Sequence, residues 1–470
     1  MSAKASRFPH SLVLIFGMIV VAQLVSYLIP AGTFDRLPDP ANPAREMVVA
    51  GSYQTNEQRH AANPSIEEAK PLPWHASLTL IPKGMEKGQE IIFLVFIVGG
   101  VIAVIRATGA IDAMIGSAIR RLGGRPVLLV TGMLALFAVG SSTIGMAEEY
   151  MPFIPILVAM CLALKMDAIV AMGIVYIGAG IGYGCAAHNP FTVVIAKGIA
   201  EQPLDEGVLL RWGLLALMVA IGAHHILRYA KRLRDDPSRS LVAHVDYSTG
   251  YEMPDDVKVT GPRALIVGLF VAMIGVFVWG VDAQGWYIVE LEAMFLGLAI
   301  VSAAVARLSP NRVAEVFCKG AAEMTTTALL IGFARTIEQV LVEAQVIDTV
   351  VNYIAETLPS QSSLAATGML FVQSICNLFI PSGSGQAYVT MPIMTPLADL
   401  TGTGRETAVL AYQFGDGLTN MIVPTNALLM GMLAMGRIPF VSWLKFILPL
   451  LIKLYVVAII VLVIAASQQW

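Results

Sequence analysis

The chain has 470 residues, of which 56% are hydrophobic and 13% charged, with a formal net charge of −3 at pH 7. A charged fraction about half that of soluble domains, with a mean hydropathy of +0.72, excludes an ordinary soluble globular domain, and nothing in the charge points to nucleic acid as a partner. Several windows of about 20 mostly apolar residues recur, each long enough to cross a bilayer, so the composition predicts an all-α polytopic membrane protein.

In chain order, MSAKASRFPH precedes the apolar run Ser11–Ile29. That run is long for a signal-peptide core and lacks a small-x-small cleavage site, so residues 1–32 are expected to form an uncleaved first transmembrane helix. Lys4 and Arg7 place its N-terminus in the cytoplasm under the positive-inside rule. Residues 33–75 are polar and of mixed charge, an expected extracytoplasmic segment. A first repeat is assigned to 76–230. Its span near Ile91–Arg106 leads to Arg120, Arg121 and Arg125, and its span near Leu209–Leu227 ends at Lys231–Arg234, both inside. Residues 231–262 form the expected cytoplasmic loop. Residues 263–312 carry two linking spans, Ala264–Gly280 and Glu292–Ala306, which return to Arg307, Arg312 and Lys319. A second repeat and a last span, Phe446–Ala465, fill 313–470. Cys161, Cys185, Cys318 and Cys376 lie far apart in apolar segments without metal-ligand spacing and read as small buried residues.

The repeat rests on two matches. Lys83-Gly84 is followed 28 residues later by Ile111-Asp112, and Lys319-Gly320 is followed at the same distance by Ile347-Asp348, an offset of 236. Ser142–Pro152 aligns with Ser382–Pro392 at an offset of 240, with five of eleven positions identical. The charge pattern puts Lys83 outside and Lys319 inside. The copies therefore enter the membrane from opposite faces, an inverted-topology repeat of the kind that builds secondary transporters with a midplane site.

Each repeat carries helix-breaking chemistry inside apolar sequence: Gly140–Gly145 and Gly182–Thr192 in the first, Ile380–Tyr388 and Phe414–Asn426 in the second. Glycine, proline and small hydroxyl residues favour turns, and irregular backbone at membrane depth must be covered by protein or line a watery cavity. Two re-entrant hairpin tips and two interrupted helices are expected. Glu148 and Glu149 lie three and four residues past Gly145 with no basic residue on either flank. Neighbouring helical residues point about 100° apart, so one of the two should face a cavity directly. An intramembrane acid is a functional candidate by default, and a structural acid on tip N–H groups is the alternative. Asp416, with Thr419, Asn420, Thr425 and Asn426, offers oxygens for Na⁺ or a proton relay, or caps for a helix. A Na⁺ site is expected near Asp416, Asn420 and Asn426. Arg335 reads as an i,i+3 partner of Glu338. His188 reads as a hydrogen-bonded structural histidine, and Gln386 and Tyr388 as lining or packing beside the site.

At these motifs a family resemblance emerges. Ile29–Arg36 (IPAGTFDR), Phe96–Asp112, Gly145–Phe153 (GMAEEYMPF), Ile380–Ala387 (IPSGSGQA) and Gln413–Asn426 (QFGDGLTNMIVPTN) resemble the YfcC family, grouped with DcuC-type anaerobic C4-dicarboxylate carriers in the ion-transporter superfamily. The resemblance spans about residues 11 to 465. It implies a scaffold domain and a transport domain, two re-entrant hairpins, an elevator-like step and a homodimer. It carries the binding site over to Ser142, Thr143 and Gly145, to Asn189 and Thr192, to Ser382, Gly383, Ser384 and Gly385 with Gln386, and to Asp416–Asn426. It also implies a cytoplasmic (inner) membrane location.

Family labels divide between basic amino acids and C4-dicarboxylates. Acids near the tips would draw an amine or guanidinium while hairpin N–H groups hold an α-carboxylate, which suits an amino acid such as arginine or ornithine. The other reading keeps those acids for a Na⁺ or H⁺ coupling ion and makes the substrate a carboxylate. No cofactor beyond such an ion is expected. A serine hydrolase at Ser382–Gly385 would need its base from His188 in the other half, since no histidine follows His244. Paired occluding tips argue against an open channel.

Overall fold

The apolar runs fold as helices because a helix satisfies every backbone polar group within its own segment. In the computed structural model, which describes residues 11–38, 46–49, 51–63, 71–111, 113–114, 117, 126–143, 145–247, 259–284, 286, 288–468 and 470, α1 (Ser11–Ser26) leads into a small polar cap. Of the charges that set the expected orientation, Lys4, Arg7, Arg120, Arg121 and Arg125 lie outside the described residues, as does Asp112 of the repeat match.

The cap corrects the all-α expectation. Two antiparallel strand pairs, β1 (Gly32–Thr33) with β4 (Gln54–Thr55) and β2 (Arg36–Pro38) with β3 (Glu46–Val48), precede the short helix α2 (Asn56–Ala62). Such short strands leave too little alternation to read from sequence. The cap is tied down by polar contacts: Arg36 donates to both carboxylate oxygens of Asp348, at 2.9 and 2.8 Å, and Phe34 N donates to Asp348 Oδ2 at 3.0 Å.

Beyond the cap, α3 (Ala76–Thr79), α4 (Ile81–Lys87) and α5 (Gln89–Ala107) are followed by α6 (Pro126–Thr143), a turn, α7 (Phe153–Ala163), α8 (Ala168–Gly184), a break, α9 (Val193–Ile199) and α10 (Val208–Asp235). The linking helices are α11 (Gly261–Gln284) and α12 (Ile288–Val305). Then come α13 (Pro310–Glu323), α14 (Thr325–Glu343), α15 (Ile347–Glu356), α16 (Ser362–Phe379), α17 (Gly383–Thr401), α18 (Arg405–Thr419), a second break, α19 (Ala427–Met435) and α20 (Phe440–Ser467). Five of these (α5, α10, α12, α16 and α20) are long and apolar enough to cross a membrane.

Lengths recur between the halves: α5 and α14 have 19 residues, α6 and α16 have 18, and α10 and α20 have 28. Packing recurs too, with α4 against α14 and α13 against α5. Both seams close on a glycine from the Lys-Gly pairs: a Cβ on Gly84 would run into the backbone of Thr336, and one on Gly320 into the carbonyl of Gly99.

By contact the helices fall into two groups. One holds α1, α4, α5 and α11 to α14. The other holds α6 to α10, α16 to α18 and α20, with α8 crossing α18 at its centre, while α19, after the second break, packs mainly on α14 of the first group. That crossing is close because Gly417 lies on the backbone of Gly184, and any side chain there would strike it. It sets the two helix breaks side by side. The helix α8 also carries a π-turn at Gly173–Ile177, a feature common at functional sites.

One expectation about a single residue changes. Cys318 is exposed rather than buried, because α13 buries only Gly320 among its residues. Pro392 and Pro396 lie inside α17 without ending it, so from Ser362 to Thr401 the chain breaks at the tip, Ile380–Ser382.

Candidate functional site

The first tip begins where α6 ends at Thr143. Gly145 has φ +79°, a conformation that suits glycine, and Tyr183 on α8 donates to its carbonyl at 2.6 Å. Ser141 Oγ donates to Met146 O at 2.7 Å, and Ser142 Oγ to Cys185 O at 3.1 Å. Ser142 Oγ also accepts from Ala187 N, and Asn189 Nδ2 donates to Ser141 O at 2.9 Å. The residues Ser142, Gly145 and Asn189 thus lock the first tip onto the first break. Thr143 is turned away, its hydroxyl donating to Val139 O.

The chain then forms a single 3₁₀ turn, Glu148–Tyr150, in place of a helical turn. The two glutamates part company there. Glu149 is buried and its Oε2 accepts from Ala147 N at 2.8 Å, which is the structural reading of the pair. Glu148 lines a cavity of ≈ 610 Å³, within the range of about 300–1,000 Å³ usual for ligand pockets.

The second tip is built differently. Ser382 caps α17, its hydroxyl accepting from Gly385 N at 3.4 Å. Tyr412 on α18 donates to Gly383 O at 2.6 Å. Gly383 has no room for a side chain, since a Cβ would fall 2.6 Å from the Thr192 methyl and 3.0 Å from Asp416 Oδ2. Behind this tip runs a buried amide network. Asn377 and Asn420 donate to Asp416 Oδ1 at 3.0 and 2.9 Å. Asn377 also donates to Gln386 Oε1, and Gln386 donates to Gln373 Oε1 at 2.6 Å. Asn426 donates to Asn420 Oδ1 at 2.7 Å, while its own Oδ1 accepts from Leu429 N at the start of α19. The amide oxygens of Asn420 and Asn426 and the Oδ1 of Asp416 are therefore each engaged by an N–H. They do not form a ready cage for a cation, and Asp416 Oδ2 is the oxygen of this set without such a partner. Among the described residues no group of three His, Cys, Asp or Glu side chains is placed to hold a metal ion.

Both breaks, both tips and the opposite helix group meet at the cavity. From the first half come Ala147 and Glu148, then Tyr176, Ala179, Gly180 and Tyr183 of α8, then Pro190, Phe191 and Thr192 of the break. From the second half come Pro381–Ser384, Gly417, Asn420 and Asn426–Leu428. The opposite helix group contributes Ile91, Trp286 and Arg335.

Of the residues singled out in the sequence, Glu148, Thr192, Ser382, Gly383, Ser384, Asn420 and Asn426 line the cavity. Asp416 and Gln386 stand behind it. Ser142, Thr143, Gly145, Glu149, Asn189, Gly385, Thr419 and Thr425 do not line it. Thr419 instead bonds the Tyr455 hydroxyl at 2.6 Å, and Tyr388 is buried away from the lining. The side chain of His188 is exposed, and its backbone N–H donates to Ser142 O, which removes the hydrogen-bonded structural histidine expected there.

Three features escaped the sequence reading. The aromatic wall of Tyr176, Tyr183, Phe191 and Trp286 reads in sequence as core. The network partners Gln373 and Asn377 sit at i,i+4 in an apolar helix, a polar stripe that was the available signal. Arg335 does pair with Glu338, at 3.0 Å, yet it also faces the cavity.

The electrostatics divide the cavity. The start of α17 and the start of α19 both open onto it, and among the described residues the N–H groups of Gly383, Ser384, Ala427 and Leu428 have no hydrogen-bond partner. Orphan N–H groups at a helix start carry partial positive charge and attract anions. Beside them the Thr192 hydroxyl is buried and unpaired. Glu148 supplies the negative charge.

The DcuC family model, described as C4-dicarboxylate anaerobic carrier, matches residues 8–467. YfcC of Escherichia coli (strain K12), which carries the provisional name basic amino acid antiporter, is 32% identical, over 97% of this chain and 96% of its own. An uncharacterized protein of Haemophilus influenzae is 29% identical, over 99% and 98%. Among solved structures, the YdaH transporter of Alcanivorax borkumensis is 14% identical, covering 98% of this chain and 99% of its own with a TM-score of 0.42. MtrF of Neisseria gonorrhoeae, from a class described as antimetabolite efflux pumps, is 16% identical over 97% and 95%, with a TM-score of 0.39.

Proposed function

The chain belongs to the DcuC family of carriers, a multi-pass membrane transport protein and not an enzyme, and on that premise we propose that it exchanges a small amino acid, basic in character, across the cytoplasmic membrane. The observation that carries this reading is the opposition inside one cavity of a carboxylate, Glu148, and the unpaired N–H groups of two helix starts with Thr192 beside them. A zwitterion with an extra cationic group matches that opposition: its carboxylate goes to the N–H groups and its ammonium or guanidinium to Glu148. Acids also outnumber bases around the site, with Glu149 and Asp416 buried close behind the lining. The provisional name of YfcC agrees.

The movement is an elevator-like step of an inverted repeat. Support comes from the recurring helix lengths, the reciprocal packing of α4 on α14 and α13 on α5, and the division of the helices into two groups with the cavity between them. The group around α8 and α18 is the transport domain, the group around α5 and α14 the scaffold. The N-terminus is cytoplasmic and the carrier a homodimer. Na⁺ or H⁺ would couple through Asp416, whose Oδ2 lies beside the Gly383 tip.

One observation favours a second reading. Arg335 and two helix starts face the same cavity, which would hold a C4-dicarboxylate if a cation neutralised Glu148. Proteoliposomes separate the two. Loaded with unlabelled arginine or ornithine, they should take up labelled arginine saturably without Na⁺. Succinate uptake that requires Na⁺, with no arginine exchange, would overturn the amino acid reading and establish the second.

A further inference from the structure

Arg335 is the one cationic side chain among the described residues that lines the cavity. It is carried by α14, in the helix group opposite to the one bearing Glu148, Thr192 and the tips. Its stem passes beside Gly88, with its Cγ 3.4 Å from where a Cβ would lie. Its NH1 donates to Glu338 at 3.0 Å, and both side chains are about a quarter exposed, 25% and 26%. Its Nε, by contrast, is buried with no hydrogen-bond partner. The charges that bear on Glu148 from other helices are Arg335, of opposite sign, and Glu90, of like sign.

We propose that Arg335 is a specificity-determining residue that recognises the carboxylate of the substrate, and that Glu338 is its positioning residue. This rests on the amino acid reading above. A guanidinium presents five donors in a fixed planar fork that matches a carboxylate. Glu338 occupies one arm and fixes the plane. The unpaired Nε shows that Glu338 leaves the guanidinium incompletely satisfied, and the quarter-exposed side chain faces the cavity with its remaining donors. The same charge repels the cationic end of the substrate, so bound substrate has one polarity, with its cation toward Glu148 and its carboxylate toward Arg335 and the helix starts. A cationic amine without a carboxylate meets the repulsion and gains no bond in return. The site therefore selects α-amino acids against the corresponding decarboxylated amines.

The test is competition in proteoliposomes between arginine and agmatine, its decarboxylated amine, read as KM for labelled-arginine exchange and as the agmatine inhibition constant. The intact protein should prefer arginine strongly. Arg335→Gln should raise the arginine KM on the order of 10- to 100-fold, the loss expected for a hydrogen bond to a charged group. Its agmatine constant should stay level or fall. Arg335→Lys keeps the charge without the fork and should give a smaller rise with agmatine unchanged, and Glu338→Gln should do the same. An unchanged arginine KM, or equal losses for both ligands, would overturn the proposal. If the intact protein exchanges no amino acid, the functional reading itself fails, and that result is visible before any variant is made.

Discussion

The two tips do the same structural work with opposite chemistry. Each is held by a tyrosine from the interrupted helix beside it, Tyr183 on Gly145 and Tyr412 on Gly383, both at 2.6 Å. The first tip satisfies its backbone with hydroxyls and leaves an acid, Glu148, facing the cavity. The second buries its acid, Asp416, under two amide donors and offers helix N-termini instead. The break after each interrupted helix repeats the contrast. Asn426 caps α19 with its own side chain, whereas Thr192 precedes α9 without capping it and keeps a free hydroxyl. The two tips and the breaks beside them thus give the cavity a negative side at Glu148 and a positive side at the helix starts.

The comparison depends first on the crossing that brings the breaks together. Replacing Gly417 with leucine drives a side chain into the backbone of Gly184. No rotamer relieves a clash with main chain, so the expected outcome is loss of folded protein, seen as aggregation on size-exclusion chromatography in detergent. A monodisperse, active Gly417→Leu protein would show that the crossing is not the pivot of the site. Next in size is the buried acid. Asp416→Ala takes its acceptor from Asn420 Nδ2, while Asn377 Nδ2 keeps Gln386 Oε1. A destabilisation of about 1–3 kcal/mol, the value of one donor left unpaired, should appear as a lowered Tm, while Glu148→Ala, which strands no such donor, should leave Tm nearly unchanged.

How much of this was legible in sequence follows from the physics of each residue. The tips and breaks announced themselves, because Gly, Pro and Ser clusters inside apolar runs have few other meanings. The breaks themselves came out shorter than the motifs: α18 continues through Gly415–Thr419, since a glycine inside a packed helix is tolerated where a neighbour's backbone needs the space. That one glutamate of the pair would face the cavity followed from helical geometry. Which one did not, because the turn is 3₁₀ and its start depends on the positive φ of Gly145. Arg335 was hidden by its own partner: an i,i+3 pair with Glu338 accounts for the charge locally and leaves no sequence sign that the same guanidinium faces a cavity. The strands of the cap, two or three residues each, are fixed by contacts to α15 from more than 300 positions away, as at Asp348, and no local pattern encodes that.

The negative end of the cavity is tested by its two adjacent glutamates. Glu148→Gln removes the charge that faces the substrate and should cut arginine exchange by about 100-fold, or about 2.7 kcal/mol of transition-state stabilisation, with Tm unchanged. Glu149→Gln keeps an oxygen able to accept from Ala147 N and should retain most of the exchange activity. Equal losses in the two variants would mean that the turn, not the Glu148 charge, is what transport needs.

The smallest effect is expected at the positive end, from Thr192→Val. The substitution keeps the shape and removes only a hydroxyl that is 1% exposed for the residue as a whole and bonded to nothing. Burying an unpaired hydroxyl is unfavourable, so this variant should be as stable as the parent or slightly more so, by up to about 1 kcal/mol. If the hydroxyl waits for a carboxylate, however, the arginine KM should rise several-fold, the value of one neutral hydrogen bond. The opposite signs of the two effects make the test sharp. A hydroxyl retained for packing would leave KM alone. A hydroxyl already satisfied within the fold would cost stability when removed. Only a group held ready for a ligand gains stability and loses affinity in the same substitution.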